Sequence, residues 1–78
     1  MAVKAYVLIE ADVGKAGEVV SAVRKLEGVK SADSVTGSFD VIAVIGVASL
    51  DGVGSVVKQI HAVGGIDKTT TCIGVKYS

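Results

Sequence analysis

Residues 39–47 read FDVIAVIGV. The run is rich in β-branched side chains, too short for a typical helix, and apolar at both parities, the pattern of a strand inside a sheet rather than at its edge. Just before it, Thr36-Gly37-Ser38 is a turn cluster, and ahead of that residues 29–36 form a weaker, more polar strand, so the two read as a hairpin. Residues 3–11 (VKAYVLIEA) have the same two-sided character as 39–47. One parity of these two strands carries Val7, Ile9, Val41 and Ile45, and the other Tyr6, Leu8, Ile42 and Val44.

Between the strands the periodicity changes. Over residues 15–27, Ala16, Val19, Val20, Val23 and Leu26 recur at three- and four-residue intervals, which predicts an amphipathic helix closed by Gly28, with Arg24 and Lys25 at the negative end of its dipole. A second helix starts after Ser49 as N-cap, with Asp51 in its first turn. Its stripe is Val53, Val56, Val57, Ile60 and Val63, and Gly64-Gly65 ends it. Residues 68–77 supply the last strand. The order βαββαβ, with right-handed crossovers, predicts a ferredoxin-like α+β domain: a four-stranded antiparallel sheet with two helices on one face, spanning residues 1–78 as a single domain. Two helices cover one face of such a sheet. The other parity of residues 3–11 and 39–47 then faces water unless a second copy covers it, so the chain is expected to be at least a dimer.

Composition narrows the function. Half the residues are hydrophobic, yet no run approaches the ~20 apolar residues of a membrane span, so no membrane partner is expected. Eight basic and eight acidic residues cancel and are scattered, which argues against direct nucleic-acid binding. The architecture is shared with RNA-recognition motifs, but Phe39 is the lone aromatic on the relevant strand. The N-terminus shows no export signal, which predicts a cytoplasmic protein, and the single Cys72 suits a reducing compartment. No acid-base pair, metal-ligand spacing or phosphate loop is present; His61 reads as a boundary residue of the second helix, and no catalytic residue, metal or cofactor is expected. The chain is expected not to be an enzyme.

Two polar clusters remain, Thr36-Gly37-Ser38-Phe39-Asp40 at the rim of the strongest strand and Thr69-Thr70-Thr71 in the last one. Together with Leu26-Glu27-Gly28-Val29 and Gly65-Ile66-Asp67-Lys68, and taken in order, they resemble the effector domain of the leucine-responsive/asparagine regulator (Lrp/AsnC) family, the regulation of amino acid metabolism (RAM) domain. Val35-Thr36-Gly37-Ser38-Phe39-Asp40 is similar to that family's valine-threonine-glycine-x-aromatic-aspartate signature, and Gly65 through Thr71 to its glycine-valine followed by threonine-x-threonine. The chain departs from the usual regulator in having no helix-turn-helix ahead of the domain, so it looks like a stand-alone version. Gly64 also stands where the family often has proline.

The resemblance implies a ligand site at Thr36, Gly37, Ser38, Asp40, Thr69 and Thr71, in clefts between dimers that bind amino acids. Gly37 would let a ligand approach the backbone, Asp40 would accept from an α-ammonium, and Thr69 and Thr71 would meet the carboxylate. The expected function is an amino-acid-binding regulatory module in a homo-oligomer, a dimer or a ring of dimers. The alternatives are a structural oligomerisation partner of full-length Lrp/AsnC regulators, and an enzyme of the dimeric α+β-barrel type with chemistry between sheet and helices.

Overall fold

The computed structural model describes residues 2–75. Its elements run β1 (Val3–Ala11), α1 (Ala16–Arg24), β2 (Val29–Ser34), β3 (Val41–Val47), α2 (Leu50–His61) and β4 (Ile66–Ile73). All pairings are antiparallel and the strand order is β2-β3-β1-β4. This is the ferredoxin-like α+β fold, with β1 and β3 at the centre as their two-sided apolar sequences require.

The helices select one parity. Ala5, Val7 and Ile9 of β1 and Val41, Ala43 and Ile45 of β3 are fully buried, and with Ala32 of β2 they meet Val19, Val20 and Val23 of α1 and Val53, Val56 and Ile60 of α2. α1 lies over β2 and β3, while α2 crosses β1, β3 and β4. The other parity, Tyr6, Leu8, Ile42 and Val44, is half-buried on the helix-free face.

Local chemistry sets the element ends. Ser49 caps α2, its Oγ accepting from the Gly52 N–H at 3.4 Å, which satisfies one of the free donors of the first turn. Gly28 follows α1 at φ +92° and Gly65 follows α2 at φ +93°, where a side chain would be strained. α1 closes at Arg24 rather than at Glu27 because the chain tightens there: Leu26 N–H donates to Val23 O and Val29 N–H to Leu26 O, turning the backbone into β2. Arg24 leaves the helix end to join β2, its Nε donating to Ala32 O at 2.8 Å and its guanidinium lying 3.8 Å from Asp33.

β2 stops at Ser34 and β3 begins at Val41, both short of the expected bounds. Between them only Val35 N–H to Asp40 O, at 2.9 Å, carries the ladder forward, leaving residues 36–39 as a four-residue loop. β4 begins two residues before Lys68, because Ile66 pairs with Ala11 and packs on the core. It ends at Ile73, after which Gly74 N–H still donates to Lys4 O at 2.7 Å. Residues 76–78, where the expected strand would end, lie outside the described residues. No helix of the described residues is long and apolar enough to cross a membrane.

Candidate functional site

The two polar clusters meet at the end of β1. Ile9 is the hinge of the arrangement: its carbonyl accepts the Asp40 N–H at 2.9 Å on one side, and Thr69 is its register partner on the other. Immediately beyond, the β1–β4 register shifts between Glu10 and Ala11. Asp67 of β4 is the extra residue there, without a register partner on β1. On the β3 side, where the paired register ends at Ile9 and Val41, Asp40 Oδ2 accepts from the Ala11 N–H at 2.8 Å. Asp40 is therefore a structural residue as well as a site candidate, since its carboxylate ties the start of β3 to the last residue of β1. Its other oxygen, Oδ1, is left to accept elsewhere.

Thr69 lies on the helix-covered side of β4, half-buried, and its Oγ1 is 2.7 Å from His61 Nε2 at the end of α2. The sequence placed His61 only at a boundary; the contact is legible only once β4 is known to lie beside α2. Thr71 pairs with Val7, one step further along the same face, and is exposed. Thr36, Gly37 and Ser38 are exposed in the β2–β3 loop that leads to Asp40. Gly37 adopts φ +130° with no atom within 4 Å of where a Cβ would stand, so the backbone angle and not crowding demands glycine there. Five of the six candidates thus gather at the rim formed by the β2–β3 loop and the start of β4, with Thr71 a step inside it.

In one chain this rim is open. Two concavities lie at the opposite end of the sheet, one bounded by Ala2, Lys30, Gly46 and Val47, the other by Val3, Tyr6, Leu50, Ile73 and Val75. The space between sheet and helices, where a barrel-type enzyme would hold its chemistry, is filled by aliphatic side chains, and no polar side chain is buried among the described residues. Among the same residues no three histidine, cysteine or acidic side chains gather to hold a metal. Cys72 is exposed on β4 and unpaired.

Known proteins share the family and the fold. The family model described as the Lrp/AsnC ligand binding domain matches residues 4–76. Among solved structures, TTHA0845 of Thermus thermophilus is similar over 97% of this chain and 96% of its own, at 26% identity and a TM-score of 0.91. The hypothetical protein PHS023 of Pyrococcus horikoshii is similar over 99% of this chain and 93% of its own, at 26% identity and a TM-score of 0.85. The transcriptional regulator NMB0573 of Neisseria meningitidis, solved as a complex with L-Met, shares the fold at 18% identity and a TM-score of 0.81; the match covers 95% of this chain and 50% of that one. Comparison with curated proteins finds no match.

Proposed function

The chain belongs to the Lrp/AsnC ligand-binding domain family, a family of regulatory, typically non-enzymatic domains whose members generally oligomerise, and on that premise we propose that it is a cytoplasmic, self-associating module that binds an amino acid. The observation that carries the ligand reading is the shared anchorage of both polar clusters on Ile9, with Asp40 on one side and Thr69 on the other. A carboxylate acceptor beside hydroxyl and backbone donors matches a zwitterion, whose ammonium donates and whose carboxylate accepts. The L-Met complex of a structural relative supports the ligand class. Because the rim is open in one chain, the ligand completes its contacts with a second subunit, and self-association belongs to the same function. The neutral charge balance supports an effect on transcription exerted through a DNA-binding partner rather than by direct contact with DNA.

Calorimetric titration of the protein with the amino acids, pooled and then singly, tests the proposal: heat for a few ligands is expected, and silence across the set overturns the sensor and leaves a structural oligomerisation partner. Asp40→Asn then tests the site. The amide oxygen still accepts from Ala11 N–H, so the fold is retained, while loss of the charge-assisted bond to the ammonium, about 1.5 to 3 kcal/mol, lowers affinity roughly tenfold to a hundredfold. Unchanged affinity in this variant removes Asp40 from the site.

A further inference from the structure

One side chain of the helix layer reaches the candidate rim. Among the described residues His61 and Thr69 form the one hydrogen bond between two side chains, Nε2 to Oγ1 at 2.7 Å. Both ends of it are held by the fold. His61 closes α2 next to Ile60, which is fully buried, so the core fixes where the last turn ends. From there the chain turns back through Gly65 at φ +93°, and Ile66 packs against the core as β4 begins. Further along, Thr69 is set in register opposite Ile9, itself fully buried. What remains free is the side-chain torsions of the two residues, and the bond between them fixes these.

The chemistry of the pair decides what Thr69 offers a ligand. A threonine hydroxyl has one proton to donate and two lone pairs with which to accept. In the imidazolium, and in the Nε2–H tautomer that a neutral imidazole in water favours, Nε2 donates. One lone pair of Oγ1 is then taken by the ring, and the hydroxyl proton must point away from α2. A hydroxyl turned this way is ready to donate to an anion. A freely rotating one presents proton or lone pair alike and loses entropy when a ligand makes it choose. We infer that His61 is a positioning residue of the amino-acid site: by donating to Thr69 it presents the Thr69 hydroxyl as a donor to the ligand's carboxylate, while Asp40, on the other side of Ile9, takes the ammonium. The inference rests on the ligand reading proposed above and gives the ligand a direction. Its carboxylate lies toward β4 and the end of α2, its ammonium toward the start of β3.

Calorimetric titration of the standard amino acids, singly, into the unmodified protein, His61→Phe, His61→Gln, Thr69→Val and the double variant His61→Phe/Thr69→Val tests it, with thermal melts confirming that each variant is folded. Phenylalanine keeps a ring and removes the donor. The amino acids that bind the unmodified protein are expected to bind His61→Phe roughly threefold to tenfold more weakly. Glutamine returns an N–H donor and is expected to restore affinity to within about twofold. In the Thr69→Val background, His61→Phe is expected to change affinity by less than about twofold, because the group through which His61 acts is gone. Equal affinity of His61→Phe and the unmodified protein overturns the inference and leaves the ligand site standing. So does a His61→Gln variant as weak as His61→Phe, since donation is then not what matters. An undiminished loss from His61→Phe without the Thr69 hydroxyl overturns it as well, because the ring then touches the ligand itself. Silence of the unmodified protein toward every amino acid overturns the ligand reading, an outcome distinct from these three.

Discussion

The two faces of the central strands both carry large apolar side chains and live in different environments. On the helix side Ile45 is fully buried between β1 and the helices; three residues away, Ile42 is half-buried on the open side, in a row with Leu8, Asp33 and Thr70. Nothing in strand propensity separates the two isoleucines, since valine and isoleucine stand at both parities of β3. The difference comes from the crossovers, which carry α1 and α2 to one side. A strand apolar on both sides in a two-layer domain therefore assigns one face to folding and the other to association.

Charge substitution breaks that comparison most sharply. Ile45→Asp places a carboxylate among aliphatic side chains with no partner, at a cost above about 4 kcal/mol, a large share of the stability of a domain this size. Loss of the cooperative far-UV transition is expected. Ile42→Asp exposes its charge to water in a single chain, so the fold persists; across a symmetric contact two apolar side chains are lost, each worth about 1.5 to 3 kcal/mol when fully buried, and assembly size falls. Light scattering and circular dichroism on the pair decide it. A folded Ile45→Asp or an unfolded Ile42→Asp reverses the assignment of the faces.

Element order, the central position of β1 and β3 and the caps at Ser49, Gly28 and Gly65 were legible in the sequence because each rests on local chemistry: periodicity, a hydroxyl before a helix, a residue that tolerates positive φ. Which parity meets the helices was not, because both parities of β1 and β3 carry large apolar residues. The structural half of Asp40 was equally hidden. Its bond to Ala11 depends on β1 running two residues past the paired end of β3, and where a register ends is a property of two strands together. The same holds for Arg24, which read as a dipole partner at a helix end and in the fold reaches the carbonyl of Ala32. The six ligand candidates came through resemblance, and the placing of Asp40 and Thr69 on either side of Ile9 needed the strand pairing to appear.

Glycine positions sharpen the comparison at a smaller scale. Gly28 lies on the helix side, where an added Cβ would stand 2.7 Å from Val56 Cγ2 and 3.3 Å from Val47 Cγ1. Val56 is buried and β-branched, with no free rotamer to retreat into. The backbone there is left-handed as well, so Gly28→Ala combines a conformational cost with overpacking, together roughly 2 to 4 kcal/mol. A Tm lowered by more than about 10 °C is expected in thermal melts. A shift of only a degree or two would mean that the helix layer yields where it approaches β2, and that the covered face is less tightly packed than its burial implies.

Gly46 offers the matched case on the open face. An added Cβ there would come 2.8 Å from an atom, nearly the same intrusion as at Gly28, but the atom is Cε of Lys30, the far end of an exposed and flexible side chain. Its stem covers apolar surface and is free to swing aside, losing a few tenths of a kcal/mol of packing. Gly46 also lies in a strand, with no positive φ to protect, so alanine there recovers about 0.5 to 1 kcal/mol of the backbone entropy that glycine costs. The terms nearly cancel, and Gly46→Ala is expected to melt within about 4 °C of the unmodified protein when both are measured dilute enough to be monomeric. The two glycines thus test the same geometric conflict against a rigid neighbour and a yielding one. If Gly46→Ala instead falls as far as Gly28→Ala, Lys30 is held in place over the sheet, and the open face is a packed surface in the single chain rather than one waiting for a second.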